Sequence, residues 1–198
     1  MSHSIPAHSA LLRLLCAVAR AELRDADQRT LDALRPGDLD RATLPTALFR
    51  HGLVPLATRH LLDGGRAHAL PSVVRLWMSA VTKASTAKQT RALIRLKTIT
   101  GAAAAAGLDV MPYKGALLGH QLYDDFAMRQ QGDVDLLVRP AHAEAVIRLL
   151  LDVGLRATSG VDADGGVPLT RHRHACVFAD PDNGQLFDVH WRLRDRMY

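Results

Sequence analysis

The chain has few aromatic residues, few cysteines and no long apolar run, and each of these features argues against a class of protein. Only 5% of its 198 residues are aromatic, which leaves few platforms for stacking unpaired bases and argues against a dedicated single-stranded RNA-binding module. Its two cysteines, Cys16 and Cys176, are far apart and match no metal-binding spacing, so a reduced, cytoplasmic protein is expected. No apolar run reaches the length that crosses a bilayer, and no membrane partner is expected.

What the chain does contain is enough apolar sequence for a core and an excess of basic residues. Hydrophobic residues make up 48% of the chain, which is ordinary for a globular protein. Lys and Arg number 25 against 20 Asp and Glu, a formal net charge of +5. This balance suits a partner that carries phosphates, such as a nucleotide or a polynucleotide. An arginine-rich background with a solvated basic surface explains it equally well.

The first half of the chain has the periodicity of helices and no defensible strand. The pattern predicts an all-helical N-terminal region over residues 1–107, with helices at 9–23, 30–34, 43–50, 54–62 and 71–106. Within the last and longest of these helices, the spacing predicts a buried stripe made of Val73, Leu76, Trp77, Ala80 and Val81, continued by Ala92, Leu93 and Leu96.

The pattern changes at Leu108, where strands begin. Strands are predicted at 108–113, 132–138, 174–179 and 185–191, with helices at 116–123 and 141–153. Pro112 indicates an edge position or a strand end for the first strand, and 180–184 reads as a hairpin turn. The stretch 158–168 is predicted to be a loop. The expected fold is therefore α/β (α+β): a helical region at 1–107 and a small mixed sheet at 108–198, possibly within one compact unit.

Two aspartates define the strand on which the second half is centred. Asp133 and Asp135 are two residues apart, so their side chains leave the strand on the same face. Paired carboxylates on a rigid face are typical ligands of a hard divalent cation such as Mg²⁺, which keeps other positions for water and phosphate. The alternative is a strand end with two solvated aspartates.

The motifs around this strand resemble those of a known family. Their order and spacing are similar to the nucleotidyltransferase superfamily and, more narrowly, to an uncharacterised nucleotidyltransferase family. The resemblance covers about the last half of the chain and is carried by Lys114–Gly115, Leu122–Tyr123, Arg129, Asp133–Val138 and Asp188–Trp191. A weaker likeness at 51–56 extends it towards the N-terminus.

The resemblance implies a catalytic metal site and a nucleoside triphosphate (NTP) as co-substrate. Asp133, Asp135 and Asp188 would be the catalytic and metal-binding residues, holding Mg²⁺ (or Mn²⁺). The alternative for Asp188 is a hairpin acid paired with Arg192 or Arg194. His190 lies on the same strand face as Asp188, where it would be either a supporting partner of the site or a structural histidine.

The resemblance also assigns residues to the phosphates. Lys114 and Gly115 occupy a strand-to-helix turn that would cradle an anion, and Arg129 would contact a phosphate oxygen. The alternatives are a tight turn with a solvated lysine and an ion pair of Arg129 with Asp124 or Asp125. A basic helix face at Lys88, Arg91 and Arg95 would line an entrance or simply be solvated.

The activity implied is transfer of a nucleoside monophosphate (NMP) from an NTP to a hydroxyl or phosphate acceptor. The acceptor is left open between a peptide, as in lasso-peptide maturation, a protein, a small molecule and an RNA. One alternative is a catalytically silent nucleotide- or partner-binding module of the same fold. Another is a toxin-like nucleotidyltransferase acting on tRNA.

Overall fold

A computed structural model describes residues 7–159 and 174–192. The chain divides into two compact units, one containing the chain up to Ala87 with Gly119–Gln130, and one containing Lys88–Leu118 with the chain from Gln131 onward. The division predicted at residues 107 and 108 stays a prediction. The described helices and strands, in chain order, are α1 (Ala7–Val18), α2 (Asp25–Asp32), α3 (Thr43–Arg50), α4 (Val54–Ala57), α5 (Ser72–Ala105), β1 (Val110–Tyr113), α6 (Gly115–Tyr123), β2 (Asp133–Val138), α7 (Ala143–Asp152), β3 (Arg156–Ser159), β4 (Ala175–Ala179) and β5 (Leu186–His190).

The first unit is helical, as predicted, and buries side chains that recur at three- and four-residue spacing. Its cluster contains Leu14, Val18, Leu31, Leu48, Leu61, Val74 and Met78, each at most 1% exposed. The predicted helix at 54–62 is instead α4 followed by a π-helical stretch, Thr58–Asp63. Within the described part of the chain, no helix is long and apolar enough to cross a membrane.

The stripe predicted on α5 is wrong at its start. Val73 and Leu76 are 60% and 73% exposed, whereas Val74 and Met78 are buried. Two apolar series share this part of the helix, and which of them faces the core depends on the neighbouring helices rather than on α5 itself. Further along, Ala92 and Leu96 are buried as predicted.

The second unit is built on one five-stranded mixed sheet in the order β1-β2-β5-β4-β3. β2 and β5 are parallel, and the other three pairings are antiparallel. β1 lies at one edge, which confirms the position inferred from Pro112. β4 and β5 form the predicted hairpin.

The strand at the other edge, β3, is missing from the prediction. All four of its residues are exposed, so Arg156–Ser159 shows no alternation of apolar and polar side chains that would mark a strand. It is held by pairing with β4 through a register irregularity at Ala157 and Ser159. Most of the predicted loop at 158–168 lies outside the described residues.

The sheet has one apolar face and one polar face, because side chains alternate along each strand. The apolar face packs against α7 and the second part of α5, and its cluster contains Ala92, Leu96, Ile99, Val134, Leu136, Val138, Ile147, Leu150, Phe178, Phe187 and Val189. Trp191, which follows β5, joins this cluster. The opposite face carries the aspartates of β2 and β5.

Candidate active site

Pairing of β2 with β5 brings three aspartates together on the polar face of the sheet. The register places Asp135 opposite Asp188 and Asp133 opposite Leu186. Asp133 and Asp135 share a face as period-two alternation requires, and the pairing adds Asp188 to that face. The three acids singled out in the sequence are therefore neighbours, while their catalytic and metal-binding roles stay predictions.

Asp135 is the most buried of the three aspartates, and two nitrogen atoms lie close to one of its carboxylate oxygens. Only 7% of the residue is exposed. The Lys114 ammonium donates a hydrogen bond to Asp135 Oδ1 over 3.2 Å. His190 Nε2 lies 3.3 Å from the same oxygen. The negative charge of Asp135 is thus offset by the Lys114 ammonium, and the His190 ring lies beside the same oxygen.

Asp188 holds its proton more tightly than an ordinary aspartate. Partial burial raises the pKa of the Asp188 carboxyl, and the nearby negative charges of Asp133 and Asp135 raise it further. His190 and Lys114 act in the opposite direction but do not cancel this effect. The neutral form of Asp188 is therefore favoured relative to an ordinary aspartate when no cation is bound.

The turn between β1 and α6 lies next to the aspartates. Tyr113, the last residue of β1, pairs with Asp135, so the next two residues follow directly beside it. Both adopt left-handed backbone angles, with φ of 60° at Lys114 and 53° at Gly115. A Cβ on Gly115 would lie 2.7 Å from Gln131 Oε1 and 3.6 Å from the Asp133 carbonyl oxygen. Glycine is therefore favoured here chiefly for its backbone angle, because the 2.7 Å contact is with the end of a flexible side chain and 3.6 Å is an ordinary van der Waals distance.

The entry into β2 is held by side chains from two other elements. The carbonyl oxygen of Gly132 accepts hydrogen bonds from Gln185 Nε2 at 3.0 Å and from Lys88 Nζ at 3.2 Å. Gln185, at the start of β5, is only 2% exposed. These bonds fix the β2 entry relative to β5 and give Lys88 a structural role. Arg95 pairs with Asp180 over 3.5 Å, so it too has a partner within this unit.

The donor atoms in this cluster suit a divalent cation. One ligand atom from each of Asp135, Asp188 and His190 lies within 4.8 Å of the others. His190 Nε2 is buried and makes no hydrogen bond to any described residue, although it lies close to Asp135. A buried imidazole nitrogen without a hydrogen bond, beside two carboxylates, fits a shared cation. Asp133 lies outside this group of three but close enough to affect the charge on Asp188.

A cavity of about 550 Å³ adjoins the polar face within the same unit. Leu137 lines it and lies two residues beyond Asp135 on the same face, and Met111 lines it from β1. Two arginines, Arg139 and Arg192, contribute to its wall, with Arg139 paired to Asp109 over 2.6 Å. The cavity lies at the C-terminal end of β2, and none of the three aspartates is among its lining residues.

Arg129 belongs to the other compact unit. It follows the short 3₁₀ turn Phe126–Met128, and its Cβ lies 3.3 Å from the position that a Cβ on Gly119 would occupy. Asp125 uses its side chain to accept from the Ala127 amide, which fixes this turn. The phosphate contact predicted for Arg129 stays a prediction.

Two residues near the aspartates have little signal in the sequence. His190 is expected there as either a supporting partner or a structural histidine, and its Nε2 lies 3.3 Å from Asp135 Oδ1. Gln131 was not singled out at all, although both polar atoms of its side chain are buried without a hydrogen bond to a described residue. The only sequence signal for His190 was its two-residue spacing from Asp188.

Comparison with known proteins identifies the family. No curated protein and no solved structure matches the chain. A sequence profile described as an uncharacterised nucleotidyltransferase matches residues 38–197, which is most of the chain and includes every acid of the cluster. The resemblance seen in the motifs is thereby confirmed. The chain belongs to the uncharacterised nucleotidyltransferase family.

Proposed function

We propose that the protein transfers an NMP group from an NTP to a hydroxyl or phosphate acceptor in a reaction that depends on a divalent cation, Mg²⁺ or Mn²⁺. Family membership supports nucleotidyl transfer. The observation that carries the rest is the parallel pairing of β2 with β5, which sets Asp135 opposite Asp188 on the polar face. A nucleotide-binding module without catalysis would have no need to hold these like charges together.

The three acids are assigned to the metal site. Asp133, Asp135 and Asp188 would hold the cation, supported by the closeness of their carboxylates and by the buried nitrogen of His190. When bound, such a cation stabilises negative charge on phosphoryl oxygens and lowers the pKa of a bound hydroxyl. Asp188, paired with Asp135 across the two strands, is proposed to complete the site of the cation that activates the acceptor hydroxyl and to help take up its proton.

The phosphates are assigned to the turn after β1. The first amides of α6 point out of the helix end, where an anion is favoured. The Lys114 side chain is exposed and flexible, so it can exchange Asp135 for a phosphate oxygen. Gly115 keeps this turn free of a side chain, and Arg129 is proposed to add a planar, two-pronged contact.

Labelled substrate tests the proposal and identifies the acceptor. The protein is incubated with each α-labelled NTP, Mg²⁺ or Mn²⁺, and in turn a peptide, a small-molecule or a tRNA fraction. We expect pyrophosphate release and label transfer that a chelator abolishes. Asp135→Asn and Asp188→Asn should each lower the rate about 10²-fold or more. Asp182→Asn, in the exposed turn between β4 and β5, is the matched control and should keep the wild-type rate.

Two results would change the assignment. Binding of NTP without pyrophosphate release under any of these conditions would favour the silent module. Label on tRNA alone would identify a tRNA nucleotidyltransferase, and label on a precursor peptide would support a role in peptide maturation such as that of lasso peptides.

A further inference from the structure

One ligand of the proposed cation site is a nitrogen, and this determines which cation the site prefers. We propose that His190 Nε2 binds the cation directly, together with Asp135 and Asp188, and that the site therefore selects a first-row transition cation such as Mn²⁺ over Mg²⁺. The inference deepens the proposed function, on which it rests, by naming a ligand and a cation class for the same site.

The strand geometry of β5 places His190 Nε2 close to the carboxylates of the site. His190 lies two residues after Asp188 and so shares its face, and its pairing partner on β2 is the apolar Leu137. The imidazole lies towards Asp135, and its Nε2 is 3.3 Å from Asp135 Oδ1. The ligand atoms of Asp135, Asp188 and His190 then fall within 4.8 Å of one another.

The contact between His190 and Asp135 is not a hydrogen bond. Nε2 is buried and has no hydrogen-bond partner among the described residues, because the 3.3 Å approach to Asp135 is poorly aligned. A buried nitrogen normally has a partner, and leaving it without one is costly. A cation held jointly by the imidazole lone pair and the carboxylates accounts for this arrangement.

The imidazole is also held in place before any ligand arrives. Its ring meets the Tyr113 ring edge to face, with centroids 5.7 Å apart and planes at 82°. The His190 side chain is only 17% exposed, and β5 lies inside the sheet between β2 and β4. A ligand fixed in this way loses little conformational entropy when it binds a metal.

The combination of one imidazole nitrogen with carboxylate oxygens determines whether the site binds Mn²⁺ or Mg²⁺ more tightly. Mg²⁺ favours oxygen ligands and keeps its waters, whereas first-row transition cations accept imidazole; Mn²⁺ accepts oxygen ligands too, so a nitrogen ligand favours it relative to Mg²⁺. Replacing the imidazole with a carboxylate would leave only oxygen donors in the set. His190→Asp should therefore move the preference towards Mg²⁺, whereas His190→Gln should weaken binding of the transition cation.

The test measures metal binding without NTP or acceptor. Mn²⁺ is added to the full-length protein, and pulsed electron paramagnetic resonance records the nitrogen modulation that a directly bound imidazole produces. Wild-type protein should show this modulation. In protein with ¹⁵N-labelled histidine, the modulation frequencies should change from those of ¹⁴N to those of ¹⁵N. His190→Gln should lose it, while the control His120→Gln, altered at an exposed histidine, should keep it.

Calorimetric titration supplies the affinities. We expect His190→Gln to weaken Mn²⁺ binding about 10-fold or more, and His190→Asp to lower the ratio of Mn²⁺ to Mg²⁺ affinity by a similar factor. Bound Mn²⁺ without nitrogen modulation in the wild type would overturn the inference, and would leave His190 as an ion-pair partner of Asp135. That readout needs no variant, so it holds even if a variant fails to fold.

Failure of this inference and failure of the proposed function give different results. Metal-dependent transfer with no nitrogen modulation would remove His190 from the ligands and leave the activity intact. Nitrogen modulation in a protein that transfers no nucleotide would keep the metal site and exclude the transferase.

Discussion

At the scale of single residues, the carboxylates of the cluster work against the stability of the fold. Asp133, Asp135 and Asp188 crowd negative charge onto one face, and Lys114 and His190 lie close enough to offset part of it. The raised pKa of Asp188 records this cost. The cation proposed for this site would offset the repulsion, which would be the usual exchange of stability for function.

Replacing Asp188 with asparagine should stabilise the protein in the absence of metal. The pKa of Asp188 is higher in the folded chain than in the unfolded chain, where it has its ordinary value of 3.8. The stability linked to its protonation is therefore present below pH 3.8 and is lost as the pH rises through the folded pKa. At neutral pH the wild type carries an unfavourable carboxylate, and Asp188→Asn removes it.

Urea unfolding in a chelator measures this effect. We expect Asp188→Asn to raise the free energy of unfolding at neutral pH by less than ~1 kcal/mol, and the gain to shrink as the pH approaches 3.8. Asp182→Asn, exposed in the turn between β4 and β5, should show no such trend. A loss of stability in Asp188→Asn at neutral pH would mean that Lys114 and His190 outweigh the repulsion.

The sequence could predict the shared face of Asp133 and Asp135, because that face depends only on alternation within one strand. It could also place the Lys114–Gly115 turn at the start of a helix. It could not predict that His190 would approach Asp135, because the register between β2 and β5 is set by pairing across about fifty residues of chain. The part of the candidate site that the sequence could not predict, the approach of His190 to Asp135, is thus the part that depends on long-range pairing.

At the scale of elements, successive side chains of β2 point alternately to the apolar core and to the polar face that carries the aspartates. Leu136 is completely buried on the apolar face, and its neighbour Leu137 is only partly buried on the polar face. Leu136→Ala should lower the free energy of unfolding by about 2–5 kcal/mol, because it leaves a cavity against α5 and α7.

Leu137→Ala is the matched control for that change. It removes the same atoms from the same strand, and we expect it to cost less than about 1.5 kcal/mol because its side chain is partly solvated already. Denaturant midpoints of the two variants give the comparison. Equal losses would mean that the two faces of β2 are not as different as their burial indicates.

Elements with strong periodic patterns were predictable, and those without them were not. α5, β2 and the hairpin of β4 and β5 were placed within a few residues, since each has a clear apolar pattern and a Pro or Gly near an end. β3 was missed because its residues are polar and exposed, and only its pairing with β4 defines it. The buried face of α5 was misplaced by one residue at its start, where two apolar series overlap.

At the scale of the whole molecule, the chain returns to each compact unit after leaving it. Gly119–Gln130 belongs with the helical unit although it lies between β1 and β2 in the sequence. α5 also continues from one unit into the other, with its residues from Lys88 onward in the sheet unit. Composition and periodicity change at Leu108, but neither reveals which segments pack together.

This organisation predicts that residues 108–198 do not fold alone. The core behind the sheet includes Ala92, Leu96 and Ile99 from α5, and a fragment that begins at Leu108 lacks all three. Losing the burial of Leu96 and Ile99 alone costs about 3–6 kcal/mol, which rivals the total stability of a small domain. We expect broad, non-cooperative thermal unfolding from this fragment, followed by circular dichroism. A fragment beginning at Lys88 keeps these residues and should unfold more sharply. A cooperative transition from 108–198 would instead support the boundary predicted from the sequence.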